Sequence, residues 1–82
     1  MRVNVRLIGY LAIHGLPSGF LGGPVDLPDD AQVVDLLRVI GLPLPTPYLI
    51  TRGGQLANLE DRLNDGDALS LIPPIGGGSH WK

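Results

Sequence analysis

The feature that most constrains this chain is a single short apolar stripe. Val33, Leu36, Leu37 and Ile40 recur at i, i+3, i+4 and i+7, the spacing that gathers side chains on one side of an α-helix. Asp29 or Asp30 just before the stripe can cap the helix, because a short carboxylate accepts hydrogen bonds from the free amides of a first turn. Gly41 and then Pro43 end it. A helix of this length cannot bury its stripe alone, so the rest of the chain must supply a surface for it.

That surface reads as a sheet. Val3, Val5 and Leu7 alternate with Arg2, Asn4 and Arg6, the period of two of a half-buried strand. Residues 9–22 are Gly-rich with Pro17, and read as a long connection without regular structure. Val25–Leu27 forms a short second strand closed by Pro28. After the helix, Pro43, Pro45 and Pro47 give a stiff extended connector. Tyr48–Thr51 resumes the β pattern, Gly53-Gly54 makes a tight turn, and Gln55–Ala57 returns. Leu59–Leu63 fits one helical turn, Asn64-Asp65-Gly66-Asp67 a loop, and Ala68–Ile72 a last strand with Leu69 and Leu71 on one face. Pro73-Pro74 stop it. The order ββαβ(β)β places one main helix between two strand pairs. This predicts an α+β roll in which the first and last strands lie side by side across the helical crossover. The expected core is Val3, Val5, Leu7, Leu27, Val33, Leu36, Leu37, Ile40, Leu69 and Leu71.

Composition bears on whether such a small domain folds and where it works. Leu, Ile, Val and Phe are 28 of 82 residues, enough to offset 12 Gly and 8 Pro. With no cysteine, the chain has no disulfide framework and no thiol nucleophile, which favours a cytoplasmic protein. Arg2 and Arg6 before Leu7–Ile13 make a poor signal peptide, and no stretch approaches membrane-spanning length. A net charge of −2 with scattered basic residues gives no footprint for nucleic acid.

Candidate chemistry within the domain is sparse. His14 and His80 do not stand at metal-ligand spacing. Asp65-Gly66-Asp67 lacks the rest of a calcium loop, and Gly53-Gly54 is followed by neither lysine nor helix, so it is no phosphate loop. Asp26, Asp29, Asp30 and Asp35 read as a solvated helix start rather than an acid–base pair. No catalytic residue and no metal site is expected, and no bound cofactor.

Several segments in order carry a resemblance: Leu27-Pro28-Asp29-Asp30-Ala31 leading into the Val-x-x-Leu-Leu helix, then Leu63-Asn64-Asp65-Gly66-Asp67, then Pro73-Pro74-Ile75-Gly76-Gly77-Gly78. Over residues 3–78 the chain resembles the ubiquitin-like sulfur carriers, which include the small subunit of molybdopterin synthase and the thiamin sulfur carrier. The resemblance implies a β-grasp roll: a mixed four- to five-stranded sheet with one main helix on one face. Residues 1–75 would be the domain and residues 76–82 a flexible Gly-rich tail. It also implies a function. An ATP-using, ubiquitin-activating-type enzyme adenylates the terminal glycine, sulfur displaces AMP, and the thiocarboxylate passes sulfur to a synthase. Gly78 would be the site, within a tail of Gly76, Gly77 and Gly78, with ATP used by the partner only.

Two features depart from that pattern. Relatives of the usual kind stop at the diglycine, whereas Ser79-His80-Trp81-Lys82 follow here. The chain as written would therefore be a precursor, trimmed by a JAMM-type zinc protease as some relatives are. Relatives also carry a more helical connection where residues 9–22 stand. Strand alternation turns Ile72 away from Leu69 and Leu71. Tyr48, Ile50, Ile72 and Ile75 are thus the expected partner-binding face near the tail. Two other readings remain open: a ubiquitin-like modifier conjugated through Gly78, and an interaction subunit whose tail is never processed.

Overall fold

The computed structural model describes residues 1–74. Five strands form one mixed sheet: β1 (Arg2–Leu7), β2 (Gly23–Asp26), β3 (Leu49–Arg52), β4 (Gln55–Leu56) and β5 (Ala68–Ile72). Their order across the sheet is β2-β1-β5-β3-β4. β1 and β5 run parallel at the centre, Val5 opposite Leu69 and Leu7 opposite Leu71, while the other pairings are antiparallel. The helix α2 (Val33–Val39) lies in the crossover that makes the parallel pairing possible. This is the expected β-grasp roll.

Packing follows the alternation read from the sequence. β1 buries Val3, Val5 and Leu7 and exposes Arg2, Asn4 and Arg6. Val33, Leu36, Leu37 and Ile40 close over them with Leu69 and Leu71, so all ten expected core residues are buried. Leu11, Leu16, Val25, Ala31, Leu42, Ile50 and Leu63 complete the core. Most of these sit in connections, where no period betrays them.

Three local readings are corrected. The connection after β1 contains a short helix, α1 (Tyr10–His14), so the apparent departure from a helical connection is smaller than the glycines suggested. Gly9 and Gly15, at φ 63° and 73°, bound that helix rather than dissolve it, and Leu11 anchors it in the core. Neither Asp29 nor Asp30 caps α2. The N-cap is Gln32, whose backbone N–H donates to the Asp35 carboxylate at 2.9 Å. Leu59–Leu63 is not a helical turn but the loop that finishes this cap. Val33 N–H donates to the Asp61 carbonyl at 2.9 Å and Val34 N–H to the Leu59 carbonyl at 3.0 Å. Backbone carbonyls from a distant loop satisfy the helix amides, so no side chain upstream is needed.

The Asn64–Asp67 turn is a fastener between strands. Arg2 N–H donates to the Asp65 carboxylate at 2.7 Å, Gly66 N–H to the Arg2 carbonyl at 2.8 Å, and Asn4 N–H to the Asp67 carbonyl at 2.8 Å. It holds the start of β5 against the start of β1.

Candidate protein interface

Register decides which side chains the sheet offers to another molecule. On β5, Leu69 and Leu71 face α2, so Ser70 and Ile72 face outward with Ala68. β3 pairs with β5 such that Ile50 stands opposite Leu71 and Leu49 opposite Ile72. Residues directly opposite one another share a face. Ile50 therefore points into the core, only 7% exposed, and its assignment to the partner-binding face is corrected. Leu49 takes that place at 53% exposure, beside Ile72. On the edge strand, Leu56 stands opposite Thr51 and is 69% exposed.

The outward face thus has an apolar shelf of Ile72, Leu49 and Leu56. Sequence reasoning found Ile72 and missed the two leucines. Their signal was parity: the tight Gly53-Gly54 turn sets Arg52 opposite Gln55 and Thr51 opposite Leu56. Which parity faced the helix depended on β5, a partner distant in sequence.

Tyr48, the residue before β3, is half-buried and packs against the core from the side. Its partial burial, and then the neighbouring Tyr10 phenol, raise its pKa above the ordinary tyrosine value. The ring thus stands at the side of the outward face rather than at its centre. Ile75 and the Gly76, Gly77, Gly78 tail lie outside the described residues, as does the tail boundary at 76.

Charge on the outward face is uneven. At the start of β1, Arg2 Nε contacts Asp26 Oδ1 at 2.8 Å across the register pair Arg2–Asp26. The hydrogen bond from Arg2, and then its positive charge, hold the Asp26 carboxyl below its ordinary pKa, and Asp26 raises Arg2 in return. Further along β1, Arg6 is exposed and has no ion pair among the described residues. Beneath it lies a shallow trough of about 400 Å³, lined by Asn4, Arg6, Thr51, Ala68 and Ser70 among others. Among the described residues no group of three His, Cys, Asp or Glu side chains could hold a metal ion, and no helix is long and apolar enough to cross a membrane. The arrangement suits protein recognition: an apolar shelf, a polar trough and a cation on one sheet face.

Comparison with known proteins defines the class. The ThiS family model matches residues 21–78, and the chain belongs to that family. Its fold is the ubiquitin-like β-grasp of small sulfur-carrier and modifier proteins. Among solved structures it is similar to SAMP1 of Haloferax volcanii, a small archaeal modifier protein. That likeness has 27% identity and a TM-score of 0.76 over 95% of this chain and 100% of that one. A chain in the complex of subunits 1 and 2 of molybdopterin-converting factor from Helicobacter pylori is also similar, at 29% identity and a TM-score of 0.60 over 92% and 96% of the two chains. A 49-residue stretch is 43% identical to the splicing regulator SDE2 of Xenopus tropicalis, covering 58% of this chain and a tenth (10%) of that protein.

Proposed function

We propose that this chain is a sulfur carrier that works through Gly78 as the substrate of an ATP-dependent adenylating enzyme in the cytoplasm. The observation that carries the reading is the family match, which runs through the Pro73-Pro74-Ile75-Gly76-Gly77-Gly78 segment to residue 78. The chemistry gives such a segment its purpose. A carboxylate is a poor electrophile. Attack of its oxygen on the α-phosphorus of ATP gives an acyl-adenylate and pyrophosphate, and sulfur from a donor then displaces AMP to leave a thiocarboxylate. Glycines suit this end because, without Cβ, they enter a narrow channel and take the backbone angles it imposes. The domain supplies recognition, the partner enzyme supplies ATP and catalysis, and a synthase accepts the sulfur.

In the sequence Gly78 is joined to Ser79, so its acyl carbon is in an amide and has no free oxygen to give to ATP. Cleavage after Gly78, by a JAMM-type zinc protease, would release the carboxylate. The test compares three chains: full length, ending at Gly78, and ending at Gly77. Each is given ATP, the cognate adenylating enzyme and a sulfur donor. The chain ending at Gly78 is expected to gain the mass of one oxygen exchanged for sulfur, and the others to stay unchanged. Equal sulfur uptake by the uncut chain refutes the precursor reading. Trimming is followed independently, because Trp81 is the single tryptophan of the sequence and its fluorescence leaves with the tail.

The likeness to a small archaeal modifier protein favours a second reading, in which the activated Gly78 acylates lysine amines of other proteins. Lysine adducts of the trimmed chain in its host would support it, and free thiocarboxylate without adducts would support the first.

A further inference from the structure

A cleft at the edge of the sheet has no role in the fold. β4 pairs only with Thr51 and Arg52, so the first half of β3 is covered by no strand on that side among the described residues. Beside it lies a cleft of about 370 Å³, lined from the proline connector (residues 44–46) and from the chain through and after β4 (residues 56–59). Leu44, Tyr48, Leu49, Leu56 and Leu59 are in its lining. The four leucines are half of the eight large apolar side chains that stand exposed among the described residues. Apolar surface gathered in this way marks a binding site. The lining residues are all uncharged, so the site suits an apolar or aromatic group and not an ionic one.

A group of that kind stands close along the chain. Ile72 is paired with Leu49, so the residues after β5 leave beside one end of the cleft, about 5 Å away at the usual strand spacing. Trp81 stands seven positions beyond Pro74, the last described residue, a reach of up to about 23 Å. Gly76, Gly77 and Gly78 let that path double back. The cleft has room for an indole, and Asn58 in its lining offers an amide oxygen to the indole N–H. A short tether holds its group near such a site at an effective concentration in the millimolar range, so even weak intrinsic affinity fills it.

We propose that in the uncut chain the Trp81 side chain seats in this cleft, which makes the cleft a binding site for the chain's own tail. The tail is favoured over a second copy because a tethered group has already given up the translational and rotational freedom that a free partner loses on binding. The Gly78–Ser79 amide lies between the root of the tail and Trp81. Seating the indole therefore draws that amide back along the domain. The consequence deepens the carrier reading and rests on it: trimming after Gly78 requires Trp81 to leave the cleft, and loss of the tail uncovers the leucines.

The test needs neither the adenylating enzyme nor a protease. Trp81 fluorescence of the full-length chain is compared with that of a synthetic peptide of residues 75–82. Emission is expected to be blue-shifted in the full-length chain, and acrylamide quenching to fall at least about twofold if the cleft is filled half the time or more. Leu56→Asp should return both to the peptide values, with folding checked by far-UV circular dichroism. Val39→Asp, on α2, should change neither. Backbone amide NMR gives a second readout that no loss of folding can imitate. Between the full-length chain and Trp81→Ala, shifts are expected at Leu44, Leu49, Leu56 and Leu59. Emission and quenching equal to the peptide's overturn the proposal, as do shifts centred instead on Tyr10 and Ile13 of α1. A blue shift that grows with protein concentration makes a second copy the occupant and overturns it too. If Trp81 is seated but the chain ending at Gly78 takes up no sulfur, the carrier reading falls and the cleft assignment stands. Sulfur uptake by a chain whose Trp81 matches the free peptide removes the cleft assignment alone.

Discussion

Leu37→Ala puts the layered core to a quantitative test. Leu37 is 0% exposed, in a cluster fed by the sheet on one side and α2 on the other. Truncating a buried leucine removes its transfer free energy and leaves a cavity, with a cost of about 2–5 kcal/mol. Strands β1 and β5, each paired on both sides, leave little freedom to collapse into the gap, which places the expected loss near 3 kcal/mol. A domain of this length is stable by roughly 4–12 kcal/mol, so the change removes a large share. It would lower Tm by roughly 12–24 °C, at about 4–8 °C per kcal/mol. Val39 is the internal control: it lies on the same helix but is 60% exposed, and Val39→Ala should stay within about 0.5 kcal/mol. Urea melts followed by far-UV circular dichroism compare the two. Similar losses for both, or a loss under about 0.5 kcal/mol for Leu37→Ala, would show that the helix does not bury this face.

The opposite facing of two isoleucines predicts opposite outcomes. Ile50→Asp should unfold the domain by burying an unpaired charge, whereas Ile72→Asp should keep a cooperative melt while weakening capture of the trimmed chain by its activating enzyme. Equal stability of the two variants would reverse the register. Asp35→Ala should cost about 1 kcal/mol by removing the side-chain half of the α2 cap. Asp30→Ala should leave the melt unchanged, and the reverse ranking would restore the upstream cap. For Asp26, the folded pKa lies below the ordinary carboxylate value, so its stabilisation is present at neutral pH and fades as acid is added through that lowered pKa. Carboxyl NMR titration of Arg2→Gln should show the Asp26 midpoint moving back up, and an unmoved midpoint would exclude Arg2 as the cause.

The legible parts of the fold are those in which one element carries its own period. The β1 alternation, the α2 stripe and the Ala68–Ile72 strand could be read because each pattern repeats within a few residues. The unread parts depend on partners far along the chain. The α2 cap is not legible locally because its amides are satisfied by carbonyls of Leu59 and Asp61, which no upstream aspartate could reveal. The sequence alone does not give the face of Ile50, because β3 has four residues and its alternation acquires a direction only through pairing with β5. In the sequence Arg6 belongs to the polar half of an alternation, and nothing local distinguishes it from Arg2. The difference arises from β2, which brings Asp26 across from Arg2, whereas Val5 already stands opposite Gly23 near the end of the pairing.

The same central strand serves stability and presentation. β5 is hydrogen-bonded on both sides, its inward leucines are core, and Ile8 N–H continues the ladder to the Leu71 carbonyl at 3.0 Å. Pro73 just beyond is buried, and a Cβ on Gly9 would come within 3.4 Å of its ring. Opening this strand would therefore break the core, so its end belongs to the most protected part of the molecule rather than to a fraying margin. A partner that must find a chemically plain glycine a few residues further on gains from a root that is already fixed, since it does not have to order that segment on binding. Ile72, Arg6 and Leu49 lie on that same strand and its immediate neighbours, with Leu56 one strand further out on β4. On the carrier reading proposed above, recognition of this face would set the position of the tail root by rigid geometry.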